Sequence, residues 1–117
     1  MGQLTTHVLD TSAGLPAAAI RIELHELGGG APRLLRSLIT GANGRCEAPL
    51  LAEAEFHPGR YTLTFFVGEY FRARGVLLPT PAFLDEVTVR IGIAEAAQHY
   101  HVPLLISPWS YSVYRGG

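Results

Sequence analysis

The sequence predicts an all-β protein, a sandwich of two antiparallel sheets built from eight strands with one short helix. Hydrophobic and polar residues alternate with period two in segment after segment of the 117-residue chain. Turn residues, including a Pro-Gly and an Asn-Gly pair, separate these segments at the spacing typical of sandwiches and barrels. One segment in the second half of the chain lacks this alternation. We therefore expect one domain over residues 1–117 with helix as the minor element.

Four strands are predicted in the first half of the chain. The first, LTTHVLD, places His7 on the face opposite Leu4 and Val8. The second, AIRIELHEL, directs Ile22 and Leu24 inward and charged residues outward, as in an antiparallel sheet with one solvated face. A third strand covers residues 33–40, and GANGRCE then supplies the Asn-Gly turn before a short fourth strand.

The second half predicts the helix and four more strands. HPGRYTLTFFV begins with the Pro-Gly turn and continues as a strand rich in β-branched and aromatic residues. GEYFRARG, residues 68–75, is predicted to be the helix because it lacks alternation and ends at a glycine. DEVTVRIGI, QHYHVPLLI and SYSVYR complete the eight strands.

Two histidines mark the segment HYHVPLL. Alternation directs Tyr100 and Val102 toward the core, so His99 and His101 lie on the outer face, together with the proline that follows. His7 has the equivalent outer position on the first strand. If the two strands are neighbours, these imidazoles cluster outside the core.

The last strand and the outer face suggest an assembly. Tyr111 and Val113 are expected to point inward, and Tyr114 outward. Leu9 and Leu105 are apolar neighbours of the outer histidines. Packing of this face against a second copy would exclude water and bury them, which predicts a homo-oligomer.

The composition restricts the classes of function. The net charge is −1, and the nine basic residues are all arginine and scattered, so nucleic acid is not expected as a partner. Without lysine, Schiff-base chemistry is excluded. The single cysteine, Cys46, forms no internal disulfide, and no apolar stretch is long enough for a membrane helix. We expect a cytoplasmic protein with no membrane partner.

From residue types alone, the histidines allow two kinds of site. His99, His101 and His7 together would match a three-histidine zinc site. Alternatively, an imidazole with a pKa near neutrality acts as a general base at physiological pH. Cys46 as a nucleophile is a further alternative, although no histidine stands beside it in sequence. Arg45, in a turn, is by default a solvated charge.

Four motifs identify a resemblance over residues 4–116. LTTHVLD, NGR, HYHVPLLISP and YRG closely resemble, in order, the 5-hydroxyisourate hydrolases of the transthyretin-like family. In that family the tetrapeptide that begins with YRG usually ends in serine, where Gly117 stands here. The resemblance implies a transthyretin-type sandwich assembled as a homotetramer, a dimer of dimers with sites at the subunit interface.

The resemblance also implies an activity. It is hydrolysis of 5-hydroxyisourate, the product of urate oxidation, to 2-oxo-4-hydroxy-4-carboxy-5-ureidoimidazoline, without a metal ion or other cofactor. Carried over by motif, the catalytic residues are His7, Arg45 and His101. Substrate-binding residues are His7 and Arg45 again, with Tyr114 and Arg115 from the terminal motif. The histidines would activate water, and the guanidinium would orient the flat ring and hold an oxyanion.

Two further functions stay open at this point. One is a non-catalytic transthyretin-type carrier of a small aromatic ligand in the channel between subunits. Its marks would be apolar or lysine-lined channel faces and a different C-terminal sequence. The other is a sandwich interaction module without catalysis, which predicts a monomer that leaves 5-hydroxyisourate unchanged.

Overall fold

Two β-sheets packed face to face confirm the predicted sandwich. The computed structural model describes residues 2–117. The elements in chain order are β1 Gln3–Asp10, β2 Leu15–Pro16, β3 Arg21–Leu27, β4 Arg33–Ile39, β5 Leu51–Ala52, β6 Gly59–Phe65, α1 Val67–Ala73, β7 Val87–Ile93, β8 Tyr100–Ile106 and β9 Tyr111–Val113. The eight predicted strands are all present, and the two-residue β2 is an addition. A 3-10 turn at Glu53–Glu55 precedes β6.

The first sheet has the strand order β2-β1-β8-β9, with β5 also paired to β1, and the second has the order β4-β3-β6-β7. All strand pairs are antiparallel except β1 with β8, which run parallel. Alternation assigns faces but not strand direction, so the sequence pattern could not reveal this pair. Its register places Thr5 opposite His101 and His7 opposite Pro103.

The core lies between the sheets and is filled by their inward-facing apolar side chains. Each such side chain contributes about 1.5–3 kcal/mol through burial. The apolar side chains that are fully buried include Leu4, Val8, Ile22, Leu24, Leu63, Phe65, Leu104 and Ile106. On β1 and β8 the inward apolar side chains alternate with outward ones, and the histidines of these strands are among the outward ones. The packing therefore fixes the side of the sheet on which the histidines lie.

Helix α1 begins and ends within two residues of the prediction and is anchored to the end of β1. Its Tyr70 and Phe71 are buried. The Tyr70 hydroxyl donates to Oδ2 of the buried Asp10 at 2.9 Å. Burial first, and then the hydrogen bond to Asp10, raise the pKa of Tyr70 to about 12. The other carboxylate oxygen accepts hydrogen bonds from the Ser12 amide and hydroxyl.

Two side-chain expectations need correction. Tyr111 and Val113 lie opposite Ile106 and Leu104, on the inner face as predicted. They are nevertheless 46% and 36% exposed, because β9 is the edge strand of its sheet. Pro103, by contrast, was expected on the open outer face and is buried.

The C-terminal segment passes over Pro103. A Cβ atom placed on Gly116 would lie 3.2 Å from Pro103 Cγ. This close approach explains why the proline is covered although it faces outward. Separately, across residues 2–117 no helix has the length and apolar character needed to cross a membrane.

Candidate active site

A cleft of about 480 Å³ opens beside the paired strands β1 and β8. Its lining includes Thr5 from β1, His99 and His101 from the β8 segment, Arg45 from the Asn-Gly turn and Gly117. Two of the three predicted catalytic residues, Arg45 and His101, therefore line the same cleft. The third, His7, lies beside Arg45.

His101 is held by a hydroxyl of the neighbouring strand. Its Nδ1 lies 2.8 Å from Thr5 Oγ1, within hydrogen-bond distance. Burial lowers the pKa of His101, and electrostatic interaction with Arg45, His7 and His99 lowers it further. The ring therefore favours the neutral form at physiological pH, which is the form that a general base requires.

His7 is held by a backbone carbonyl rather than by a side chain. Its Nε2 lies 2.9 Å from the backbone oxygen of Asn43. Because a carbonyl only accepts, Nε2 carries a proton and donates it, which leaves Nδ1 as the nitrogen that accepts a proton in the neutral ring. A Cβ atom on Gly44 would lie 3.2 Å from His7 Cδ2, so the ring packs closely against the turn.

The Asn-Gly turn places Arg45 next to β1. The Asn43 side-chain oxygen accepts a hydrogen bond from the Arg45 amide at 3.0 Å. Gly44 has φ +76°, in the left-handed region that favours glycine, and its carbonyl accepts from the Val8 amide at 2.9 Å. Within residues 2–117 Arg45 has no carboxylate partner at salt-bridge distance. Its guanidinium is thus available to a ligand.

His99 lies at the exposed side of the cleft. Its Nε2 is 3.2 Å from Thr5 Oγ1, and its ring stacks on that of His101 with the centroids 6.5 Å apart and the planes at 19°. The same hydroxyl therefore contacts both histidines. His25 is half-buried and His57 is exposed, and neither lines this cleft.

The side chains of Tyr114 and Arg115 do not join the histidines. Both residues line a second cleft of about 480 Å³, on the side of β7 and β9. The Arg115 guanidinium stacks over the Tyr100 ring at 4.0 Å and donates to Gln98 Oε1 and to the His99 carbonyl, each at 3.1 Å. The prediction that these residues bind substrate is therefore not matched by the placement of their side chains within one chain.

The terminal backbone does reach the first cleft. The Gly116 amide donates to the His101 carbonyl at 2.7 Å. A Cβ atom on Gly116 would lie only 2.7 Å from His101 Cδ2, so a glycine is required for this approach. Gly117 itself lines the cleft. The terminal motif thus forms a wall beside the His101 ring.

Sequence reasoning missed Thr5. Alternation places Thr5 on the same face as His7, so its outward position was available from the sequence. Its contact with His101 depends on the parallel register of β1 and β8, for which the sequence gives no signal. The close approach of Gly116 was likewise missed, although a glycine in a terminal motif is a signal for tight backbone packing.

The geometry does not support the two alternative chemistries, a three-histidine zinc site and a cysteine nucleophile. Within residues 2–117 no group of three or more His, Cys, Asp or Glu side chains is arranged to hold a metal ion. Cys46 lines the cleft, and burial raises the pKa of its thiol. A raised pKa keeps the sulfur protonated at neutral pH, which is the unreactive form.

The family model described as the HIUase/Transthyretin family matches residues 4–116. This chain belongs to the HIUase/Transthyretin family. The resemblance drawn from the four motifs is thereby confirmed. A protein from Mesorhizobium japonicum named 5-hydroxyisourate hydrolase is 58% identical, over 98% of this chain and 92% of its own length. A protein of the same name from Pseudomonas aeruginosa is 56% identical, over 99% and 92%.

Solved structures agree with this membership. The 5-hydroxyisourate hydrolase of Klebsiella pneumoniae superposes with a TM-score of 0.83 at 35% identity, with full coverage of both chains. An (S)-allantoin synthase superposes with a TM-score of 0.93 at 47% identity, over 99% of this chain but 44% of that longer one. Sea bream transthyretin in complex with thyroxine gives 0.87 at 25% identity, over 97% and 94%. These matches confirm the transthyretin fold.

Proposed function

We infer that this chain is an enzyme that hydrolyses 5-hydroxyisourate to 2-oxo-4-hydroxy-4-carboxy-5-ureidoimidazoline in urate degradation. The observation that carries this inference is the placement of Arg45 and His101 in the lining of one cleft, with His7 paired to Arg45 beside it, in a chain that is 56% and 58% identical to proteins named for this reaction. Both relatives are matched over nearly their full length, so the inference concerns the whole chain as one domain.

The substrate and product define the chemical step. The product carries a carboxyl and a ureido group, so water has added to a ring carbonyl and the ring C–N bond has broken. The water oxygen ends in the new carboxyl group, and the departing nitrogen takes up a proton. Such a step needs a base for the water, a partner for the developing oxyanion and a surface that orients the ring.

We assign the base to His101. Its lowered pKa keeps the imidazole neutral, and its Nδ1 is engaged with Thr5, which leaves Nε2 to take a proton from water. A positioned general base contributes roughly 10²- to 10⁴-fold to the rate. His7 shares the work through Nδ1, since its Nε2 donates to Asn43.

Arg45 is assigned to the substrate and the transition state. Its planar guanidinium donates paired hydrogen bonds to neighbouring ring oxygens and stays charged as an oxyanion forms. The absence of a carboxylate partner among the described residues supports this role, since nothing there competes for its donors. We further propose that Tyr114 and Arg115 serve substrate binding through the terminal backbone, whose Gly117 lines the cleft.

We propose that the active form is a homotetramer, a dimer of dimers in the cytoplasm, with sites closed at a subunit interface. Half-buried Leu9 and Leu105 on the outer face, and the unpaired edges of β7 and β9, are surfaces suited to a second copy. Light scattering should give four times the chain mass. A monomer at working concentration would contradict the assembly.

A coupled assay tests the proposed activity. Urate oxidase generates fresh 5-hydroxyisourate, and its ultraviolet absorbance is followed with and without this protein. Because the compound also decays unaided, the expected result is acceleration in proportion to protein concentration, unchanged by prior treatment with EDTA. Saturable binding of an aromatic ligand without acceleration would favour the carrier function instead.

A further inference from the structure

We propose that Thr5 is a positioning residue whose hydroxyl, shared between His101 and His99, holds His101 in the tautomer with the proton on Nδ1. This inference deepens the proposed function and rests on it for its catalytic consequence. The tautomer itself is a property of the substrate-free protein. It is therefore testable without the reaction.

The geometry centres on one oxygen atom. Thr5 Oγ1 lies 2.8 Å from Nδ1 of His101 and 3.2 Å from Nε2 of His99. Thr5 and His101 are direct partners in the parallel β1–β8 register, and the two histidine rings are stacked. The strand register therefore places Thr5 beside His101, and His99 stacks against the same pair, with no ligand bound.

A hydroxyl carries only one proton, so the tautomer of His101 and the tautomer of His99 are linked through Thr5. When Thr5 donates to one ring nitrogen, it accepts from the other. If it donates to His101 Nδ1, then His101 carries its proton on Nε2 and cannot act as a base there. If it accepts from His101 Nδ1 and donates to His99 Nε2, the lone pair of His101 is on Nε2.

The second arrangement fits the site. His99 is exposed, so water can satisfy a proton on its Nδ1 while its Nε2 accepts from Thr5. His101 then presents Nε2 as the basic nitrogen, and its Nδ1–H bond to Thr5 strengthens as the ring becomes positive. A second group that orients the first is the usual means by which a histidine tautomer is set.

The experiment compares Thr5→Val, which keeps the shape and removes the hydroxyl, with Thr5→Ser, which keeps the hydroxyl. Thr62→Val, on the other sheet, is the matched control. Loss of one hydrogen bond that acts in the transition state predicts a kcat roughly two- to tenfold lower in Thr5→Val, with little change in KM. Thr5→Ser and the control should stay near the wild-type kcat.

Nitrogen-15 NMR of the histidine rings gives the decisive readout, because it distinguishes the two tautomers in the substrate-free protein. The wild type and Thr5→Ser should carry the His101 proton on Nδ1. Thr5→Val, and His99→Phe, which removes the acceptor, should move population to the Nε2–H form. A wild-type His101 with its proton on Nε2, or a tautomer unchanged in Thr5→Val, would overturn the inference. A wild type that fails to accelerate hydrolysis would instead overturn the proposed function and leave the tautomer result intact.

Discussion

The backbone of His7 forms an isolated antiparallel bridge with the backbone of Arg45. Two residues that are distant in the sequence are therefore neighbours in the fold. The contact depends on the Asn-Gly turn, whose Gly44 carbonyl accepts from the Val8 amide. The relation between the two residues is therefore set by the backbone.

Gly44→Ala should disrupt this relation. A Cβ atom there would lie 2.3 Å from the Val8 carbonyl oxygen, and the φ of +76° is itself unfavourable for alanine. We expect a loss of roughly 1–3 kcal/mol in the free energy of unfolding and a clear fall in kcat. Gly41→Ala is the matched control, since its Cβ would meet its nearest atoms at an ordinary 3.6 Å. Urea unfolding and kinetics check both, and equal effects would contradict the role of the turn.

Arg45→Lys should not rescue the function of the guanidinium. Lysine keeps the positive charge but loses the planar pair of donors that suits two neighbouring ring oxygens. We expect kcat/KM to fall roughly 10²-fold or more in both Arg45→Lys and Arg45→Ala. Steady-state kinetics with fresh 5-hydroxyisourate measure it. Full activity in Arg45→Lys would show that charge alone is sufficient.

The pH profile should follow His101. Its pKa is lowered by burial and by electrostatic interaction with Arg45 and the two neighbouring histidines, so neutral His101 persists below the ordinary value of about 6.5. On the acidic side, kcat/KM should fall with a midpoint below that value. Arg45→Gln removes one positive neighbour and should raise the His101 midpoint in an NMR titration. A midpoint that falls instead would contradict the electrostatic account.

Tyr70→Phe should destabilise the fold without changing the site. The Tyr70 hydroxyl is a donor to the buried Asp10 carboxylate, and removing it should lower the free energy of unfolding by about 1–3 kcal/mol. Tyr111→Phe, a change at a half-exposed ring, should have little effect. Urea unfolding measures both, and kcat of the folded Tyr70→Phe protein should stay near the wild type.

The same tyrosine gives a pH dependence in the alkaline range. Its pKa is raised from 10 to about 12 in the folded chain, so the unfolded chain loses the proton first. The stabilising contribution is complete below pH 10 and is lost as the pH rises through 12. Tyr70→Phe should lack this component in its stability profile.

The sequence predicted the fold because alternation reports directly which side chains are buried. It placed the histidines outside the core correctly, and the motifs identified the family. It could not give the direction of β8 relative to β1, since period two is the same for parallel and antiparallel strands. The contact between Thr5 and His101, which depends on that direction, was therefore out of reach.

The terminal motif shows a second limit. The motif indicated that Tyr114 and Arg115 belong to the site, but a motif does not state which atoms face it. In the structure, Arg115 stacks on Tyr100 while the backbone at Gly116 contacts His101. Which part of a residue is used depends on the path of the chain after β9, where regular alternation has ended.

The central claim is that His7 and His101 activate water for hydrolysis. The most direct test is the coupled assay of His7→Ala and His101→Ala, which follows the loss of 5-hydroxyisourate absorbance. Each variant should turn over substrate at least tenfold more slowly than the wild type while keeping the same mass by light scattering, because each removes an imidazole that we assign to water activation. His57→Ala, at an exposed histidine outside the cleft, should stay at the wild-type rate. Near wild-type rates in both His7→Ala and His101→Ala would contradict the account.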